Sequence, residues 1–442
     1  MFKINCFWFG GFFVLVEKRV LPNGAITVME EIPHVRSAAI GVFVKVGSKH
    51  EPEELNGISH FIEHMLFKGT ERMSGREIAE AFERMGGQLN AYTSKEHTCF
   101  YARVLDENLF EAMDVLFDML YNSTMNEKEV DTERGVILEE INMYEDTPDE
   151  LIHDVFSQTI MAGHPLGRPV LGRQEIIASL SRSTVYNYYR AFYHPANMVI
   201  AVVGNINSER VFERLASYTG YQQEPQIPKE AMAPRLCDGI NLVPKDTEQV
   251  QICLGVPGIP YTDERRYTQN VMNSILGGGM SSHLFQKIRE ERGLAYNVYS
   301  YPSTYRETGT YAIYVGTGPG KVREFFALLR EELERFIREG VTAEEVRRTQ
   351  SQIKANLYLG MESVMSRMNR LGKSEVMYGK TTPVEEIIEK VYAVTPEMVR
   401  EYAYDIFGRQ PYSLAVIGEQ SILPEVEASF RELESFMRAE FL

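Results

Sequence analysis

The chain has 442 residues, with 46 Lys+Arg against 62 Asp+Glu, 4 Cys and a formal net charge of −16. That length suggests about two to four domains, and 44% hydrophobic with 24% charged residues excludes a disordered chain, a collagen and a multi-span membrane protein. The acidic balance argues against nucleic acid or stable insertion at an anionic membrane as the main partner, since both need a basic footprint.

In chain order, the first feature is an apolar run of 10 residues, Phe7–Val16 (FWFGGFFVLV), after a single lysine. It is too short to span a bilayer, and no small-x-small cleavage site precedes Glu17. We expect residues 1–16 to be an extension arising from a start codon set too far upstream; the alternative is a secretory or anchoring segment. Cys6, Cys99, Cys237 and Cys253 show no CxxC spacing and read as reduced thiols, which fits a cytoplasmic location.

A strand at Ser37–Val46 leads to a helix with apolar residues at Ile58, Phe61, Ile62 and Met65, a second helix at Ser74–Met85 and a strand pair over Gln88–Val104. Long amphipathic helices follow, and a strand closed by glycine, Met198–Gly204 (MVIAVVG), ends the first half. Residues 223–238 carry three prolines and no long apolar run, and read as a linker. The same order then repeats: strand Gln249–Pro257, helices Tyr267–Leu276 and Ser281–Glu291, strand pair Ala295–Val315, and a last strand Tyr412–Gly418. The spacing predicts an internal duplication of two α+β domains, residues 17–222 and 239–442.

The strongest chemical signal is His60-Phe61-Ile62-Glu63-His64. On a helix, residues i and i+4 stand one turn apart on one face, so both imidazoles can reach one metal ion. Glu63 borders that face. This is H-x-x-E-H, the zincin motif read backwards. Neutral imidazoles bind Zn²⁺ and leave it positively charged, an open position holds water whose pKa falls to about 7, and a neighbouring carboxylate can move the proton. A third protein ligand is needed. The predicted helix Asp131–Asp146 offers Glu133 and Glu140, two turns apart on one face; periodicity does not choose between them or exclude a residue elsewhere.

His60–His64 followed by LFKGT, the run GGQLNAYTSKEHT at Gly86–Thr98, and ERGVILEEI at Glu133–Ile141 together resemble the pitrilysin family of zinc peptidases, most closely its short-chain branch with mitochondrial processing peptidase and bacterial relatives. The likeness runs from about Glu17 to the C-terminus. It implies Glu140 as third metal ligand, Glu133 as a carboxylate supporting the ligands from behind, and one Zn²⁺ per chain. It implies that the strand holding Asn90 and Ala91 receives substrate as an added strand, which gives affinity without sequence demands. The second half has Leu276–Ser282 (LGGGMSS) where the first has its histidines; lacking GK[ST], it is no phosphate loop. Arg289 and Tyr296 resemble the family's Arg/Tyr pair, which faces the zinc from the other half of the enzyme and stabilises the tetrahedral intermediate; Arg292 competes for the arginine's place. His283 stands where relatives often carry arginine, and no role is attached to it.

The expectation is an α+β chain of two duplicated domains, each an antiparallel-rich sheet packed with helices, forming a half-shell. As a homodimer, or alternatively a heterodimer, it would enclose a chamber for unfolded peptides or precursor segments. Glu63 would act as general base, with Tyr296 and Arg289 completing the site. The alternative from another class is a non-catalytic assembly or core subunit.

Overall fold

Met198–Gly204 and Ser413–Gly418 (SLAVIG) show no polar alternation, and each is buried along its whole length. Strands of that kind are covered on both faces, and each lies inside a sheet. The structure, a computed structural model, describes residues 3–9, 12–218, 226–229 and 232–442, with side chains from Val16 onward. Side-chain readings on the apolar run before Val16, and linker residues 223–225, 230 and 231, lie outside the described residues.

The described chain forms two compact units, each discontinuous in sequence. Unit 1 comprises Met1–Asn142, Arg168–Ala231 and Tyr358–Pro383; unit 2 comprises Met143–Gly167, Met232–Leu357 and Val384–Leu442. Unit 1 holds β1 (Lys3–Phe9), β2 (Phe12–Val20), β3 (Ile26–Glu31), β4 (Ser37–Val44), β5 (Gln88–Thr93), β6 (Thr98–Leu105) and β7 (Met198–Gly204). They form one sheet in the order β1-β2-β3-β7-β4-β6-β5, antiparallel except for the parallel pair β3/β7. Unit 2 holds β8 (Ile240–Pro244), β9 (Val250–Pro257), β10 (Ala295–Thr304), β11 (Gly309–Thr317) and β12 (Ser413–Gly418), in the order β10-β11-β9-β12-β8, with β12/β8 as its parallel pair. Read from the opposite end, β8-β12-β9-β11-β10 repeats β3-β7-β4-β6-β5 strand for strand, parallel pair included. The duplication expected from the sequence is therefore present in the topology.

Five helices matter below: α1 (Ile58–Leu66), α2 (Gly75–Arg84), α3 (Leu109–Asn122), α4 (Glu127–Glu145) and α5 (Pro148–Ile160). In unit 1 the main core gathers α1, α2 and α3 under one face of the sheet. The other face carries the helix Val364–Tyr378, whose Val364, Met368 and Leu371 meet Phe43, Val199 and Ala201. In unit 2, α5 plays the matching part: Ile152, Val155 and Phe156 cover Cys253, Ala312 and Ala415. Each sheet is thus backed by one helix supplied from the distant half of the sequence. Among the described residues no helix is long and apolar enough to cross a membrane.

The helix Val364–Tyr378 approaches β4 closely because both sides give room. A Cβ on Gly41 would lie 2.3 Å from Met368 Sδ, and one on Gly372 would lie 1.9 Å from Phe43 Cε2. Phe43 is fully buried, so it has nowhere to move. Overpacking there costs about 1–3 kcal/mol, more than the roughly 1 kcal/mol that alanine gains over glycine in a helix. Gly372→Ala is expected to lower the thermal midpoint. By contrast Gly135, exposed in α4 with nothing within 4 Å of its would-be Cβ, should accept alanine and gain roughly 0.5–1 kcal/mol. Thermal melts of the two variants beside wild type check both signs.

Candidate metal centre

Burial fixes α1. Phe61, Ile62, Met65 and Leu66 are all fully buried, each worth about 1.5–3 kcal/mol relative to exposure, so the helix cannot rotate its polar face away. Its N-terminus is held as firmly. Glu51 is buried, and its Oε2 accepts from Gly57 N–H (2.7 Å) and Asn56 Nδ2 (3.1 Å) while Oε1 accepts from Ser59 N–H (2.8 Å). A carboxylate there satisfies open helix donors and meets the positive end of the helix dipole. Gly57 starts the helix at φ 96°, where a Cβ would also press within 2.7 Å of Gly172 Cα and Leu171 O. Arg168 Nη1 donates to Glu51 O at 3.0 Å.

On that helix His60 Nε2 and His64 Nε2 face each other at 3.2 Å. Glu140, from α4, brings Oε2 to 3.5 Å from His64 Nε2 and 3.9 Å from His60 Nε2. Three ligand atoms on a tetrahedral Zn²⁺ with bonds of about 2.0–2.1 Å stand about 3.3 Å apart. The observed triangle is close to that, and among the described residues these three form the group able to hold a metal ion. At 3.2 Å the two nitrogens can share one N–H; as metal ligands both must be bare, and a cation between them then removes their repulsion. The residues therefore fit a zinc ion. Burial, helped by His64, pushes His60 down to about 3, so it is the neutral form that a metal requires.

Glu133, two turns before Glu140 on α4, takes the second position. Its Oε1 accepts from His64 Nδ1–H at 2.8 Å and its Oε2 meets Lys68 Nζ at 2.6 Å. Burial works against its charge, but the hydrogen bonds from His64 and Lys68 outweigh it and hold it below the usual carboxylate range. For His64, burial is likewise outweighed, here by Glu133 and the other nearby carboxylates, and the shift is upward. Glu63 is raised, chiefly by burial and further by Glu140, against a hydrogen bond from Thr93 and the charge of His64. Thr93 Oγ1 donates to Glu63 Oε2 at 2.5 Å. Sequence reasoning missed Thr93, Lys68 and Glu51. Lys68 at i+4 from His64 is the one of these with a readable spacing.

Asn90 and Ala91 lie on β5, the terminal strand of its sheet, and Asn90 Oδ1 accepts from Ala91 N–H at 2.8 Å. A groove of about 570 Å³ runs beside this strand, lined by Phe67, Ile78, Phe82, Leu89 and Asn90 among others. His97 is buried, lowered to about 4 by burial and Lys373, and stands with Tyr92 and Ser94, outside the metal group.

In unit 2, Arg289 Nη1 donates to Tyr296 O at 2.9 Å. Its guanidinium stacks on the Tyr296 ring at 4.4 Å and the Phe285 ring at 4.7 Å. Tyr296 is 70% exposed. The two side chains are thus organised together. Arg292 instead points to Glu324, at 3.8 Å. Gly277 and Gly278 pack closely on Ser300 and Ser274, where a Cβ would come within 2.4 and 2.8 Å.

Residues 26–174 match the family model described as Insulinase (Peptidase family M16), and residues 179–353 match Peptidase M16 inactive domain. The chain belongs to peptidase family M16. The pitrilysin-family resemblance is thereby borne out. The chain is 42% identical over 419 residues to an uncharacterized zinc protease of Bacillus subtilis, YmxG, covering 93% of this chain and 100% of that protein. An uncharacterized zinc protease of Streptomyces coelicolor is 42% identical over 411 residues, covering 91% and 89%. Among solved structures, a protease from Helicobacter pylori superposes with TM-score 0.85 at 22% identity over 91% of this chain and 99% of that one. A peptidase M16 inactive domain from Pseudomonas fluorescens does so with TM-score 0.81 at 18% identity over 92% and 98%.

His283 is not part of this M16 site. It lies buried in unit 2 with Nδ1 2.7 Å from Glu332 and Nε2 2.6 Å from Glu345, beside Arg335. Two carboxylates against one guanidinium balance when the imidazole is charged. Burial opposes that charge, but the carboxylate hydrogen bonds prevail and the shift is upward. The folded state then keeps a proton that the unfolded chain loses at about 6.5. The stabilisation is complete below about pH 6.5 and is lost as pH rises through the raised value. Thermal melts from about pH 6 to about pH 9 should show wild type losing more stability over that range than His283→Gln.

Proposed function

We propose that this chain is a zinc-dependent endopeptidase acting on unfolded peptides or precursor segments, with one Zn²⁺ per chain held by His60, His64 and Glu140. Family membership and the zinc-protease names of the relatives support the hydrolase reading. The observation that carries the site is the triangle of His60 Nε2, His64 Nε2 and Glu140 Oε2, with Glu63 beside it on the same helix.

A bound zinc ion supplies positive charge that polarises the scissile carbonyl and acidifies a water. Glu63 takes the proton of the attacking water and hands it to the leaving amine, so a C–O bond forms, the C–N bond breaks and no proton is consumed overall. Its raised proton affinity brings it nearer the working pH of a general base. Thr93 holds one of its oxygens and leaves the other free to turn toward substrate. Glu133 keeps the His64 proton on Nδ1. The open edge of β5, with Asn90 and Ala91, takes the peptide backbone as an added strand.

In this reading Tyr296 and Arg289 serve the metal site of a second copy. The exposed phenol donates to the oxyanion and Arg289 steadies the substrate backbone. The duplicated topology with one H-x-x-E-H per chain supports a homodimer enclosing a chamber that admits unfolded peptides. Cys99, Cys237 and Cys253 are free thiols, in keeping with a reducing, cytoplasmic setting.

Hydrolysis of a quenched fluorescent unfolded peptide tests this, with zinc content measured on the same samples. Glu63→Gln should lose at least about 100-fold in kcat/KM while retaining its zinc. Chelation should abolish wild-type cleavage, and added Zn²⁺ should restore it. Zinc-loaded wild type that cleaves no peptide would replace this reading with that of a non-catalytic subunit.

A further inference from the structure

We propose that Lys68 is a positioning residue for the metal centre: through Glu133 it locks His64 in the tautomer that presents Nε2 bare. The proposal rests on the reading of His60, His64 and Glu140 as a zinc site. Glu133 is 3% exposed, and a buried carboxylate with an incomplete set of partners is strongly unfavourable. Its two oxygens are divided between two partners, Oε1 with His64 Nδ1 at 2.8 Å and Oε2 with Lys68 Nζ at 2.6 Å.

The local fold puts both partners on one side. Lys68 follows His64 by one turn, and its N–H still bonds Met65 O at 3.1 Å just past the end of α1. The lysine therefore continues the face that carries His64, and Glu133 reaches from α4 into the space between them. Neutral imidazole has one N–H, and the hydrogen bond at one nitrogen decides which nitrogen is free for a metal. With Lys68 gone, His64 would be the one side-chain partner left to Glu133. A buried carboxylate held by one oxygen alone gains by swinging toward solvent. That movement removes the acceptor at Nδ1 and lets the His64 proton move to Nε2, the atom the metal needs. Lys68, whose side chain is one-third exposed, pins the second oxygen and blocks that route.

The test is Zn²⁺ affinity of the full-length protein by chelator competition for wild type, Lys68→Met, Lys68→Arg, Glu133→Gln and the Lys68→Met/Glu133→Gln double variant. Nitrogen NMR of His64 in the metal-free proteins is the second readout. Lys68→Met should weaken zinc binding by about 10–100-fold and mix the His64 tautomers. Lys68→Arg should stay within a few-fold of wild type with Nδ1 protonated. In the Glu133→Gln background, Lys68→Met should add less than about twofold, since coupled residues are not additive. Wild-type affinity in Lys68→Met with an unchanged tautomer overturns the proposal alone, and so does a full-sized Lys68→Met effect without Glu133. Wild type that binds no zinc overturns both this and the site reading. If Lys68→Met does not fold, Lys68→Gln carries the same comparison.

Discussion

Two imidazole nitrogens held 3.2 Å apart on one helix can share at most one proton and repel when both are bare, so their arrangement makes sense around a positive charge. The cost of that arrangement is borne by the rest of unit 1. An exposed helix would turn or fray to separate the rings. Here α1 buries seven of its nine residues, and Glu51, itself buried, ties down three donors at and before its first turn. The side chains that hold the helix are therefore distinct from those proposed to do chemistry on it, as pre-organisation requires.

The duplicated topology shows what a site adds to a fold. Both units run five strands in the same order with the parallel pair in the same place. The first copy follows its strand with His60–His64. At the matching place in the second, Gly277 and Gly278 pack where side chains would collide. The fold thus tolerates either solution at that position, and activity has to be argued from residues rather than from architecture. The exchange of backing helices, α5 to unit 2 and Val364–Tyr378 to unit 1, ties the two halves of the sequence together without changing either sheet.

Much of this was legible in the sequence because it is periodic. The i, i+4 histidines, the unbroken apolar runs of β7 and β12 and the repeat of strand–helix order are local patterns, and each appears where its spacing puts it. The choice between Glu133 and Glu140 was not legible from periodicity, because two turns apart they share a face; only the placement of α4 against α1 gives one the ligand position and the other the ring nitrogen behind it. Thr93 and Glu51 left no local signal, since their partners lie 30 and 6–8 residues away and are brought in by β5 and by the turn before α1. The segment exchange was equally silent: amphipathic helices announce an apolar face but not which sheet will cover it.

Charge accounts for why these particular side chains occur together. Glu63, Glu133 and Glu140 converge on one half-buried site, and Lys68 is the one cation with a direct contact to them among the described residues. Three carboxylates and one ammonium leave two negative charges in a place where burial makes charge expensive. Burial is the main reason that the proton affinity of Glu63 is raised, and the neighbouring charge of Glu140 adds to it. A divalent cation of the kind proposed would cancel the negative excess. Glu133 and Lys68 would then neutralise each other behind His64, Glu140 would be spent on the ion, and Glu63 would be left as the carboxylate free to exchange a proton. In the proposed site the balance that recruits the metal thus also selects the base.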